Sequence, residues 1–328
     1  MSSKKLFEAA KIVSKKVLKV KKDERALIIT NPKKDCLEIS QALYEAFENA
    51  GAYPTLMIQP VKSSFDYMNF EVREAIASTP QVVCSISHER LGKDPICLKE
   101  PLLASDGKKY DNIFNFLLAE KKIRAVWSPG ITKRIFIEAV PINYDKLKRK
   151  CNAIKDFING ASIIKVQTLK GTDFSFSIEG RKVKVDDGDF SEPGKGGNLP
   201  AGEIFISPVV GSSKGVLIID GSISMEKTFL LKSPVKIEVE NGYVKKVSGN
   251  SEAEILKRLI KKASIQPFKL FEKGVLTKEI VDVLKFGIYS LVLSPCNNTL
   301  NSFKHLSISS SLAITLFSII YNTMPNTP

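Results

Sequence analysis

Apolar residues at Leu6, Ala10, Val13, Val17 and Val20 recur every three to four positions with lysines between them, a spacing that predicts an amphipathic helix. A short apolar run follows at Ala26–Thr30. Next comes a helical pattern through Ile39, Ala42, Leu43, Ala46 and Phe47 that stops at Gly51, and then a second run at Thr55–Gln59. That is a strand–helix–strand unit. Runs at Gln81–Ser87 and Arg124–Ser128, with helical patterns between them, continue the alternation. Units of this kind build a parallel sheet with helices on both faces, so the first part of the chain is predicted to be an α/β domain.

The pattern changes after a helix expected over Tyr144–Asn159 and closed by Gly160. Strand signals then dominate, at Ser162–Thr168, in the alternating Phe174–Ile178 and at Lys182–Val185. Val235–Glu240 and Tyr243–Val247 flank Asn241-Gly242, the pair that supplies two positive-φ residues to a type I′ hairpin. The chain reads as an α/β domain over 1–160 followed by a β-rich α+β domain over 161–328. Its tail, from about 263, is atypical: Lys304 is the only charge between Phe286 and Pro328.

Composition narrows the function classes. At 328 residues, 43% hydrophobic and 26% charged, the chain is neither disordered nor fibrous. A net charge of +14 attracts nucleic acid or an anionic membrane only if concentrated on one face. Phe7 is the one aromatic residue in the Lys-rich start, so stacking on bases is not provided there and no nucleic-acid partner is expected. No 18 consecutive residues are apolar, and lysines interrupt the N-terminus too often for a signal-peptide core, so no membrane partner is expected. Five widely spaced cysteines without a CxxC pair suggest no disulfide framework; they read as small buried hydrophobes in a reducing, cytoplasmic setting. Two histidines, His88 and His305, rule out a site built on three imidazoles and leave the chemistry to carboxylates.

In residues Phe190–Pro208, FSEPGKGGNLPAGEIFISP, the glycines Gly194, Gly196 and Gly197 and the prolines Pro193 and Pro200 precede an apolar strand, which predicts a shaped loop. Its glycines match neither nucleotide-loop pattern, and a strand rather than a helix follows. Glu203 opens that strand. It is either an edge-strand acid that reaches water or a buried carboxylate that must be paired, protonated or metal-bound. His88 follows the Gln81–Ser87 strand at the end where α/β sheets often place function, and it also reads simply as a loop residue. Asp173, in Gly-Thr-Asp, reads as a turn residue.

Gly197-Asn-Leu-Pro-Ala-Gly-Glu203-Ile-Phe-Ile-Ser-Pro208, with the stretch Gly211–Ser222 after it, resembles the hallmark segment of the thermophilic metalloproteases, the aminopeptidase T/AmpS family. Val126-Trp-Ser-Pro-Gly-Ile131, Gly171-Thr-Asp-Phe-Ser-Phe176 and Glu179-Gly-Arg181 ahead of Asp186-Asp-Gly188 agree in order, and the resemblance covers about residues 4–262. It implies a homodimeric exopeptidase that removes N-terminal residues from peptides using two divalent metal ions, zinc or cobalt. Such a metal pair activates bound water and polarises the scissile carbonyl. The resemblance also implies Glu203 as first metal ligand, Glu272 as second carboxylate and general base, and His305 as a further ligand. Downstream the chain departs from the family. Ser290 stands in place of a ligand His and Ser307 in place of an Asp, no acidic residue follows Asp282, and Ser is a poor ligand for zinc-like ions. Two expectations follow: a metalloaminopeptidase, or a catalytically inactive or C-terminally damaged relative that lacks a complete metal site.

Overall fold

A computed structural model describes residues 2–63, 65–224, 228–258, 260, 291–293 and 312–313. Helix α1 (Ser2–Ile12) passes into a π-helical turn at Val13–Val17, where the sequence periodicity predicts an unbroken α-helix. The wider turn still keeps Val13 and Val17 fully buried. Strand β1 (Arg25–Thr30), α2 (Lys34–Glu48) and β2 (Tyr53–Ile58) form the expected first unit. They are followed by α3 (Phe70–Ala77), β3 (Val82–Ile86), the small hairpin β4 (Leu102–Leu103) and β5 (Lys109–Tyr110), and α4 (Ile113–Ala119). Then come β6 (Arg124–Trp127), α5 (Lys133–Ala139) and α6 (Tyr144–Ile158). The strand-rich part holds β7 (Ile163–Gln167), β8 (Asp173–Ser177), β9 (Lys184–Asp186), β10 (Gly196–Asn198), β11 (Glu203–Ile206) and β12 (Lys214–Ile219). It continues with β13 (Ser222–Ser224), β14 (Thr228–Leu230), β15 (Val235–Glu240), β16 (Tyr243–Ser248) and a helical stretch over 251–258.

The chain separates into two compact units: residues 1–150 with 186–202, and residues 151–185 with 203–328. The first unit is built on a five-stranded sheet in the order β10-β6-β3-β1-β2, all parallel. Successive residues of β1 point to opposite faces. Ala26 and Ile28 join a core with α1, α2 and α5, while Leu27 and Ile29 join a second core with α3 and α4. A strand buried on both faces has no polar side to show, which is why Ala26–Thr30 reads as a continuous apolar run. Each such aliphatic side chain contributes about 1.5–3 kcal/mol by leaving water.

A buried carboxylate ties the loops on the α3–α4 side. Asp94, 1% exposed, accepts 2.9 Å bonds from the N–H groups of Ile96 and Cys97 on one oxygen and of Ile113 on the other. Burial alone would raise its pKa, but these donors hold it below the usual carboxylate range. A group lowered in this way stabilises the fold above its unfolded pKa and loses that contribution as pH falls through its folded value. Asp94→Asn turns one acceptor into a donor facing an N–H. Urea denaturation is expected to show a loss of about 1–3 kcal/mol at neutral pH and a flatter fall of stability on acidification than in the parent.

The second unit centres on an antiparallel sheet in the order β16-β15-β12-β8-β7. Asn241 and Gly242, at φ 50° and 78°, make the tight turn between β15 and β16, as the Asn-Gly pair predicts. Inward residues Val166, Phe174, Phe176, Leu217, Ile219 and Ile237 form its core with Ala253 and Leu256 of the last helical stretch.

Candidate functional site

The Gly-rich segment read as a shaped loop is turn and loop through 191–195 and 199–202, and three residues within it join the first unit's sheet as a strand. Gly196, Gly197 and Asn198 run parallel to Ala125, Val126 and Trp127 as β10. The segment is stitched in place by Ala125 N–H to Lys195 O (3.0 Å), Leu199 N–H to Trp127 O (3.0 Å) and Ser128 Oγ to Leu199 O (2.6 Å). Asn198 N–H donates to Asp186 Oδ2 at 3.0 Å, and Gly202 N–H to Asp186 O at 3.0 Å. A Cβ on Gly197 would lie 2.3 Å from Phe190 Cζ and 2.8 Å from Asp186 Oδ2; one on Gly196 would lie 2.9 Å from Ala125 O. These glycines let backbone, ring and carboxylate approach closely, and they make a packing device rather than a phosphate cradle.

Glu203 opens β11 in the second unit. Strand alternation places it with Phe205, half-buried, opposite the buried Ile204 and Ile206. It has interaction partners, so it is neither a bare surface acid nor an isolated buried charge. Leu291–Leu293 lies antiparallel to β11. Glu272 and His305, the other two predicted ligands, lie outside the described residues. Among the described residues no three His, Cys, Asp or Glu side chains come together in a way that could hold a metal ion. By themselves these residues do not fit a metal centre.

In the first unit the chain runs from β1 outward to β2, then returns to place β3, β6 and β10 on the other side, so direction reverses between β1 and β3. The carboxyl ends at such a reversal are where open α/β sheets usually hold ligands. Here the polar groups at that edge bind one another. Asn31, 1% exposed, donates through Nδ2 to Gln59 O and Pro60 O (3.1 Å each) and accepts His88 N–H at 2.7 Å. Thr30 Oγ1 donates to Ile86 O (3.0 Å), the Ser85 and Ser87 hydroxyls share a 2.9 Å bond, and Gly130 N–H donates to Ser87 O (2.8 Å). His88 itself is exposed. Asn31 was missed by sequence reasoning, although its place directly after the Ala26–Thr30 run marks it as a strand-end polar residue. A nearby groove lined by Asp35, Lys133, Arg134, Ile137 and Glu138 has its cations engaged, Lys133 with Glu38 and Arg134 with Glu138.

All four described cysteines, Cys36, Cys84, Cys97 and Cys151, are buried, as expected. Burial pushes the Cys84 thiol far up, leaving it protonated and inert. Among the described residues no helix is long and apolar enough to cross a membrane.

Solved structures define the fold. The chain matches the 2,5-dihydroxypyridine dioxygenase of Pseudomonas putida KT2440 at TM-score 0.63 and 17% identity, over 89% of this chain and 76% of that one. It matches wild-type aminopeptidase T of Thermus thermophilus at TM-score 0.58 and 17% identity, over 91% and 80%. The sequence profile of the 2,5-dihydroxypyridine 5,6-dioxygenase family, NicX, matches residues 14–266, and the chain belongs to that family. A curated 2,5-dihydroxypyridine 5,6-dioxygenase of Pseudomonas putida is 27% identical over 115 residues, 35% of this chain, and the match spans a third (33%) of that relative's length.

The family match overturns the expected peptidase activity. The structural relation to aminopeptidase T stands, but membership lies with an oxygenase family, so hydrolase, aminopeptidase and proteolysis are not the terms for this chain. At Gly196–Asn198 the segment that carried the resemblance serves strand packing, and a shared fold does not fix the reaction.

Proposed function

We propose that the chain catalyses dioxygen-dependent opening of a hydroxylated pyridine ring, on a substrate of the 2,5-dihydroxypyridine type, with the help of a divalent metal ion. The observation that carries this reading is the family match over residues 14–266. A dioxygenase places both atoms of O2 in one substrate. The ring being opened supplies the four electrons that O2 takes up, so no further reductant is required. Glu203, Glu272 and His305 remain the candidate metal-binding groups of this reading, and Glu203 is the one that lies among the described residues.

The test is the ultraviolet absorbance of 2,5-dihydroxypyridine after mixing with protein preincubated with Fe(II), Mn(II), Co(II) or Zn(II), in air and under argon. Consumption in air with a redox-active ion, lost under argon and lost in Glu203→Gln together with metal retention, is the expected result. No consumption with any of the four ions would overturn the reading.

A further inference from the structure

Three turns meet at the amino edge of the first unit's sheet, and each presents lysines to solvent. The turn ahead of β1 carries Lys19, Lys21 and Lys22, the turn ahead of β6 carries Lys121 and Lys122, and the turn ahead of β10 carries Lys195, all exposed. Hydrogen bonds hold the turns together. Arg124 Nη2, at the start of β6, donates to Lys19 O (3.3 Å), Gly194 N–H to Ile123 O (2.7 Å) and Ala125 N–H to Lys195 O (3.0 Å). Lys19 Nζ reaches Ser191 Oγ at 3.5 Å, and a Cβ on Gly194 would lie 2.8 Å from Lys121 Cγ. Since β1, β3, β6 and β10 are successive neighbours about 4.8 Å apart, the lysines spread over about 15 Å.

The backbone marks two of them. Lys19 and Lys121 directly follow the C-caps Leu18 and Glu120, at φ 45° and 53°. This left-handed position strains any side chain and usually falls to glycine, as it does at Gly160 after α6. The helix dipole rewards a cation anywhere in the last turn, so it does not account for lysine at this one residue.

We infer that this edge binds the phosphate backbone of double-stranded nucleic acid. Among the acids in or bonded to these turns, Glu24 is held by Arg124 and Asp189 by Lys148, cations outside the six. Lys21 also acts on Glu24, and Lys122 on Glu120. Asp23, Glu120 and Glu192 remain, and the six lysines outnumber them. Lysine is a point charge with three turning donors, suited to phosphate oxygens wherever they fall. Among the described residues no large apolar side chain is exposed in these turns, so the edge offers neither a ring for unpaired bases nor an anchor for a bilayer. A duplex needs neither, because its bases are already stacked and its phosphates face outward.

Fluorescence anisotropy of a labelled DNA duplex of mixed sequence, titrated with the full chain across a salt series, tests this. The parent is expected to bind about a thousandfold more weakly at about 200 mM than at about 50 mM salt, as about six phosphate contacts require. Lys19→Gly with Lys121→Gly is expected to lower the slope of log Kd against log salt by about two, one for each lost contact. Its thermal midpoint is expected not to fall, since glycine adopts positive φ without strain. Lys122→Ser with Lys195→Ser is expected to lower the slope equally. The charge-matched Lys245→Ser with Lys246→Ser, on β16 of the second unit, is expected to leave it unchanged. No duplex binding at the lowest salt, edge variants that bind like the parent, or a β16 variant that loses as much overturns the inference. So does equal or tighter binding to phosphatidylserine vesicles.

Discussion

Gly197→Ala is expected to lower the thermal unfolding midpoint sharply, while Gly221→Ala leaves it unchanged. Gly197 needs no unusual φ, so the cost is steric alone. The added Cβ would stand 2.3 Å from a ring carbon of Phe190, which is 4% exposed, and 2.8 Å from the Asp186 carboxylate. Neither neighbour is free to move. Phe190 belongs to the core under α1, α2 and α5, its N–H donates to Val17 O at 3.0 Å, and Asp186 is bonded to Asn198 N–H. Overpacking of this kind costs about 1–3 kcal/mol, at the upper end where the surroundings cannot yield. In a domain of this size that is about 2–4 °C for each kcal/mol. At Gly221 a Cβ meets no atom within 4 Å. Equal midpoints for the two variants in differential scanning calorimetry would contradict the strand assignment of 196–198.

A larger loss is expected from Arg124→Met. Arg124, 3% exposed, donates Nε to Leu18 O (2.7 Å), Nη1 to Glu24 Oε1 (2.9 Å) and Nη2 to Glu24 Oε2 (2.5 Å) and Lys19 O (3.3 Å). One guanidinium thus anchors the chain between the π-helical turn and β1 to the start of β6. Burial would raise the Glu24 pKa, but the bond from Arg124 and the Lys21 N–H hold it below the usual carboxylate range. Removing Arg124 strands that carboxylate and two carbonyls, a loss of about 3–5 kcal/mol in urea denaturation. The sign of the pH effect follows. A lowered carboxylate stabilises the fold above its unfolded pKa and loses this as pH falls through the folded value, so the variant's deficit shrinks on acidification. Adding Glu24→Gln to Arg124→Met is expected to recover part of the loss, since the stranded charge is then gone. A deficit that does not change with pH would show that the pair is not the source.

Much of the α/β unit is legible from residue pattern because its strands are buried on both faces. Ala26–Thr30, Gln81–Ser87 and Arg124–Ser128 all appear as strands, and Asn241-Gly242 turns where its φ angles require. The fifth strand is not legible. Gly196, Gly197 and Asn198 have no strand propensity, and the two glycines stand where β6 and Phe190 come too close for a Cβ. The π-helical turn is hidden as well, since Val13 and Val17 stay buried in either helical form.

The site was partly legible and its chemistry misread. Glu203 does open a strand whose alternate residues, Ile204 and Ile206, are buried. The glycines ahead of it, which predict a shaped loop, serve packing at Gly196 and Gly197, and a shared fold leaves the reaction open. Buried Arg124 and Asp94 escaped notice because a charged residue gains meaning in the core only from distant partners such as Glu24 and Ile113.

The most direct test of oxygenase membership is product mass after turnover of 2,5-dihydroxypyridine in an atmosphere of 18O2 with metal-loaded protein. Both labelled atoms in a single ring-opened product is the result predicted here. Disappearance of the substrate without label in the product, or no product with any redox-active ion, would contradict it.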